Sequence, residues 1–352
     1  MKKKPELTIE EAEHRARIRD MYCGVFVVTA LVWILRFVSE WILGFLSTEN
    51  YYIMTGLQIF TGAFSVFLPF FIFLKAYRDP FLPILKDSPR SEHPVIRCAI
   101  GCFAVFGLSI GALGLMELLR SLLEGVGLHS AVVAPNMGET WQETLFYVIV
   151  STVLYSFSYE IAFRGIALRT MKEENRFAAV LVSGIAYALS DGDLYRMAVR
   201  FAVGFLMGWF YLRIRSVWCC IVLQAVSQVT VSLWWLLLRG REFTVYVNFL
   251  ILMGLVIGIA AAFFLLYPRR ESDPQKVSNK VALKEVFTSF GVYLMIGMVA
   301  FNLLIFTFSM DADPSDPLLQ PMDEEHKVPP LQFDRDKEFQ DYYPSSEYSN
   351  TP

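Results

Sequence analysis

Histidine is scarce in this chain of 352 residues. There are four, His14, His93, His129 and His326, and all fall in segments expected to be loops or tails. That inventory excludes an imidazole-ligated metal site, or a histidine-dependent hydrolytic mechanism, inside the apolar body of the chain. Cysteine is nearly as sparse. Cys23, Cys98, Cys102, Cys219 and Cys220 include no CxxC pair and no even extracellular set, which argues against a disulfide framework or a zinc knuckle. They read as small packing residues. Charged residues make up only 18% of the chain, with a net charge of −3. No nucleic-acid partner, metal or other cofactor is expected. There is no internal repeat of fixed period, and no pair of interrupted half-repeats of the kind that marks transporter sites.

Apolar surface is what the chain has in quantity: 55% hydrophobic residues, 15% aromatic, and a mean hydropathy of +0.44. About twenty apolar residues cross a bilayer. By that measure nine spans are predicted, at 21–46, 51–74, 96–119, 143–171, 177–193, 197–213, 217–238, 243–267 and 285–309, of which the fifth and sixth are short. The expected fold is an all-α, polytopic transmembrane helix bundle. Small residues at four-residue spacing, Gly107/Gly111 and Gly204/Gly208, would let helices approach closely where lipid supplies no drive for association.

Lys and Arg are retained on the cytoplasmic side of a membrane. With the N-terminus inside, the predicted cytoplasmic segments hold 21 basic residues and the outside segments 7. The expectation is a multi-pass protein of a bacterial plasma membrane, N-terminus cytoplasmic and C-terminus outside. Residues 1–20 form a charged N-terminus, too long in its following apolar run for a cleaved signal and suited to a retained signal-anchor. Residues 21–94 form an accessory hairpin with a Pro- and charge-rich loop. Residues 95–309 form the core bundle. Residues 310–352 carry 11 acidic and 3 basic side chains and little aliphatic content, so they are expected to be a disordered acidic tail.

Charges inside spans are costly, face protein interior, and mark sites. Arg36 and Glu40 lie four apart and are expected to pair on one helical face. Glu160 and Arg164 have the same spacing, but other polar residues share their depth. At about 1.5 Å of rise per residue, Glu160 lies roughly 18 Å and Asp191 roughly 22 Å above the turn at 172–176. Gln224 and Gln228 lie roughly 12 and 18 Å in from the next turn on that side. With Ser227 beside them, the two glutamines share a face. Three helices therefore aim polar side chains into one layer. That layer is either interhelical hydrogen-bond glue with a neutralised ion pair or a cavity.

The residues SYEIAFRG (158–165), then SGIAYALSD, then RFAVGFLMGWFYLRIRSVWCCIVLQAVSQ resemble the core of the CAAX-protease and bacteriocin-processing (CPBP) family of intramembrane proteases, over residues 141–238. That family carries EExxxR, an aromatic-xxx-His motif and HxxxN. By position the first glutamate falls on Tyr159, the second on Glu160 and the arginine on Arg164. The second motif falls on Tyr187 and Asp191, and the third on Gln224 and Gln228. The resemblance implies that the first glutamate and the second-motif histidine activate a water, while the last His and Asn stabilise the oxyanion. None of those four positions keeps its residue here; Glu160, Phe163 and Arg164 remain of the first motif. Tyrosine supplies a phenol, a poor base near neutral pH, and glutamine can donate to an oxyanion but cannot shuttle protons.

The preferred reading is a catalytically degenerate homologue that binds a peptide, a lipidated peptide or a membrane partner in its former cavity, with Tyr159, Tyr187 and Ser227 as binding residues. The alternative is an active divergent endopeptidase of CAAX or leader-peptide type, using Glu160 or Asp191 as base and Gln224/Gln228 as oxyanion donors. A carboxylate pair can do acid–base work when its environments differ, and carboxylates with glutamine carbonyls also suit a hard cation. A transporter or channel built on the polar layer is the third reading.

Overall fold

The computed structural model describes residues 9–46, 50–77, 82–86, 93–124, 136–190, 194–238, 245–266 and 277–310. Helices and turns account for these residues, and no strand occurs among them. The helices are α1 (Ile9–Phe45), α2 (Tyr51–Ala76), the single turn α3 (Leu82–Leu85), α4 (Pro94–Glu124) and α5 (Trp141–Glu160). A π-helical segment, Ile161–Leu168, continues α5 into α6 (Arg169–Met171). Then follow α7 (Arg176–Leu189), α8 (Leu194–Ile214), α9 (Val217–Leu238), α10 (Val245–Leu266), α11 (Asn279–Phe287) and α12 (Phe290–Met310). The acidic tail beyond Met310 lies outside the described residues.

Local chemistry sets the helix starts. Thr140 and Glu143 form a reciprocal capping box at the start of α5, Glu143 N–H donating to Thr140 Oγ1 (3.3 Å) and Thr140 N–H to Glu143 Oε2 (3.0 Å). This satisfies amides that a helix leaves unpaired at its N-terminus. Asn50 caps α2 and Asn175 caps α7 through the side chain alone, each Oδ1 accepting from a backbone N–H, of Ile53 and of Ala178. Asn175 does more: its Nδ2 donates to the Val277 carbonyl and to Asn279 Oδ1, each at 2.9 Å, tying the α6–α7 turn to the segment leading into α11. At the end of α8, Arg215 adopts φ 57°, the left-handed conformation that commonly closes a helix, and the chain reverses into α9.

Among the described residues five helices are long and apolar enough to cross a membrane, and a sixth crossing follows if the pair α11 and α12, bent by 54°, counts as one. The protein is a multi-pass membrane protein. The expected span at 177–193 corresponds to a helix of only 14 residues. The span at 285–309 is broken at Thr288 and Ser289. There the Thr288 hydroxyl donates to the Lys284 carbonyl (2.8 Å) and the Ser289 hydroxyl to the Val286 carbonyl (2.7 Å), local bonds that compete with continued helix.

The π segment is the centre of the bundle. All eight of its residues are buried, and it touches α2, α5, α7, α8 and α9. Phe163 anchors it, its ring 4.8 Å from Phe70 of α2 and 5.5 Å from Tyr187 of α7 between centroids. On the far side α10 packs against α4 through glycines: a Cβ on Gly107 would collide with the backbone of Gly254 and Gly258, the close approach that small residues permit.

Candidate functional site

Arg164 projects from the π segment and is fully buried, as is Glu160 at the end of α5. Its Nη1 lies 3.0 Å from Glu160 Oε1, and its Nη2 donates to the Gly204 carbonyl of α8 at 2.9 Å. The guanidinium also stands 4.7 Å from the Tyr187 ring centroid, a cation–π distance. Gly204 makes this possible, because a Cβ there would sit 2.8 Å from Tyr187 Cδ1 and 3.5 Å from Arg164 Nη2. A second bond fixes the segment to α7, the Ser183 hydroxyl donating to the Phe163 carbonyl at 2.9 Å.

Tyr187 links this pair to the third motif. Its hydroxyl donates to Gln224 Oε1 at 3.1 Å, and both side chains are buried, at 3% and 1% exposure. Tyr159 stands edge-on to Tyr187, 5.6 Å between centroids. Tyr159 is itself 2% exposed, and its hydroxyl accepts a 2.9 Å bond from Arg36 Nη1 of α1. Arg36 also donates to the Ser190 carbonyl at 3.4 Å. Arg200 of α8 lies over the same two rings, 5.5 Å from Tyr159 and 5.7 Å from Tyr187.

The structure thus brings Tyr159, Glu160, Arg164, Tyr187 and Gln224 into one interlocked set. Gln228 is half-buried one turn further along α9 and makes no hydrogen bond among the described residues. Ser227 serves α4 instead, its hydroxyl 2.9 Å from that of Ser109. Asp191 lies outside the described residues. The pairing expected of Arg36 with Glu40 is replaced: Glu40 is exposed, and Arg36 reaches the layer. Arg36 and Arg200 are the participants that sequence reasoning missed. For Arg200 a signal existed, since Arg200, Gly204 and Gly208 recur at four-residue spacing and share one face of α8.

Chemically, the set is a filled polar core. Where the resemblance puts the water-activating carboxylate stands a phenol with an oxygen already bonded to a guanidinium. Glu160 is in ion-pair contact with Arg164, and neither of its oxygens accepts a hydrogen bond among the described residues. Among the described residues no group of three or more His, Cys, Asp or Glu side chains is placed to hold a metal ion.

Comparison with known proteins agrees with the region that carries this geometry. Residues 141–230 match the family described as type II CAAX prenyl endopeptidase Rce1-like. No curated protein and no solved structure matches the chain. The matched residues run from the start of α5 through the π segment to Thr230 of α9, about a quarter of the chain, and over them the chain is similar to that family.

Proposed function

We propose that this is a CAAX-protease-like membrane protein that no longer hydrolyses peptides and acts by binding a peptide, a lipidated peptide or a partner helix within the bilayer. One observation carries the reading. At the position of the family's water-activating glutamate, Tyr159 is buried and bonded through its hydroxyl to Arg36, so a substrate carbonyl and its water would have to displace an existing contact to reach a group that is a poor base. We place the N-terminus in the cytoplasm of a bacterial cell, the chain crossing the plasma membrane nine times, with the acidic tail outside, the core bundle at 95–309 and no nucleic-acid partner.

The test is cleavage. Purified protein in lipid nanodiscs is incubated with farnesylated CAAX peptides and with leader peptides, and products are followed by mass spectrometry. No product is expected. Cleavage that disappears in Glu160→Ala would overturn the proposal and establish the alternative, a divergent endopeptidase. What favours that alternative is the buried Glu160 carboxylate, whose oxygens accept no hydrogen bond among the described residues.

A further inference from the structure

The cysteines are scattered along the sequence and read there as packing residues, yet the structure gathers three of them. Cys98 and Cys102 stand one turn apart on α4, and Cys219 stands near the start of α9, the helix packed beside it. The thiol of Cys98 is hydrogen-bonded both to that of Cys102 and to that of Cys219, so the three form one row that crosses from helix to helix. All three are free and half-buried, within reach of a small solute. The other two are placed differently. Cys220 is fully buried, and Cys23 belongs to α1, which packs on α2, α7, α11 and α12.

The seam between α4 and α9 is tight where the thiols meet. A Cβ on Gly101 would sit 3.1 Å from Leu223 Cδ2 of α9, and further along the hydroxyls of Ser109 and Ser227 are 2.9 Å apart. A disulfide needs its Cβ atoms about 3.5–4.5 Å apart. Cys98 and Cys102 do not meet that condition on one helix, where Cβ atoms four residues apart are held about 5–6 Å from each other. Cys219 escapes the limit because it approaches on a different backbone, beside a glycine that lets the two helices close. The sulfurs of Cys98 and Cys219 have only to pass from hydrogen-bond contact to the bonding distance of about 2.05 Å.

We infer that Cys98 and Cys219 are a site of reversible oxidation, joined by hydrogen peroxide into a disulfide that staples α4 to α9 while Cys102 stays reduced. One thiolate attacks the peroxide, the O–O bond breaks, and a sulfenic acid and water form. The second thiolate attacks the sulfenic sulfur, the S–O bond breaks, and the hydroxide released takes up a proton as a second water. Two electrons pass from the thiols to the peroxide, and a small dithiol reverses the step by thiol–disulfide exchange. Both cysteines lie in the first two turns of their helices, at the end of each span rather than at mid-bilayer, where a water-soluble oxidant has access. With the N-terminus in the cytoplasm, as proposed above, that end is cytoplasmic, a compartment in which disulfides are transient rather than structural. The staple is independent of whether the polar layer cuts or binds peptides.

The full chain in lipid nanodiscs is titrated with hydrogen peroxide, denatured, alkylated with N-ethylmaleimide and weighed intact, then digested for peptide mapping. The reduced protein takes one adduct on each of its five cysteines. After peroxide two adducts are expected to be lost together, with a single crosslinked peptide pair that contains Cys98 and Cys219, and dithiothreitol restores all five. Cys102→Ser and Cys23→Ser keep the crosslink, whereas Cys98→Ser and Cys219→Ser each abolish it. The wild-type map decides the pairing without any variant, so a variant that fails to fold leaves the test standing. A crosslink that includes Cys23, Cys102 or Cys220, a crosslink between two chains, or all adducts retained at a peroxide dose that converts exposed methionines to sulfoxides would overturn the inference.

Discussion

Replacing Glu160 and Arg164 singly and together separates a structural brace from a catalytic residue. At 3.0 Å and an effective dielectric constant of about 20, the two charges attract by roughly 5–6 kcal/mol. Desolvation of two fully buried ions cancels much of that, so the net worth of the pair is small while the cost of orphaning one member is about 3–5 kcal/mol. The members are not equivalent. When Glu160→Leu removes the carboxylate, Arg164 retains the Gly204 carbonyl and the Tyr187 ring. When Arg164→Met removes the guanidinium, Glu160 loses its ion-pair partner, and the Gly204 carbonyl loses its donor as well. Arg164→Met is therefore expected to be the more damaging of the two.

The double variant leaves no buried charge at the pair, and its main residual penalty is the unsatisfied Gly204 carbonyl, worth about 1–3 kcal/mol. It should be more stable than either single variant, with a coupling energy of at least about 3 kcal/mol, at or above the upper end for contacting residues. Reversible unfolding in mixed micelles, titrated with dodecyl sulfate and followed by circular dichroism, measures all four corners of the cycle. Additive single effects would refute the brace. A Glu160→Leu protein more stable than wild type would refute it in a more informative way, because strained functional residues are the ones whose removal stabilises.

Two further perturbations test the surroundings. Gly204→Ala drives a methyl toward Tyr187 Cδ1 and should destabilise by about 1–3 kcal/mol through overpacking, whereas alanine at Gly297, where nothing lies within 4 Å, should be silent in the same unfolding assay. Asn175→Ala removes the cap of α7 and both bonds to 277–279. It should cost about 1–2 kcal/mol and speed amide hydrogen exchange across 277–282, and unchanged exchange there would show that the α6–α7 turn does not hold that segment.

How far the sequence could be read depended on the range of each interaction. Glu160–Arg164 was legible because it is an i, i+4 pair on one helix. The meeting of Tyr187 with Gln224 was approachable because helical rise converts residue counts from two turns into a common depth. Arg36 was not legible: its spacing to Glu40 offered a complete local explanation, and nothing in α1 points to a phenol 123 residues away. Ser227 failed for the opposite reason. Three residues on from Gln224, it lies about 60° round the helix from it, which is enough to turn it toward Ser109 of α4. The break at Thr288–Ser289 is written in two adjacent hydroxyl residues, yet apolar run length alone passes over it.

The same contrast explains how the motif keeps its shape with altered chemistry. In the family's pattern the first-motif position carries a carboxylate, the second motif an aromatic residue followed by an imidazole, and the third-motif position an imidazole. Here Tyr159 and Gln224 put a phenol and an amide at the first and third of these, Tyr187 stands at the aromatic position that the second motif keeps, and each has a partner: Arg36 for Tyr159, Gln224 for Tyr187, Tyr187 for Gln224. Arg164, with Gly204 opening space beside it, joins α8 to the π segment. A carboxylate at position 159 would face Arg36 and Arg200 across the distances the phenol now spans, and would form an ion pair before it could serve as a free base. Restoring Tyr159→Glu alone is therefore not expected to restore peptide cleavage, because Arg36 would hold the new carboxylate in its charged, engaged form.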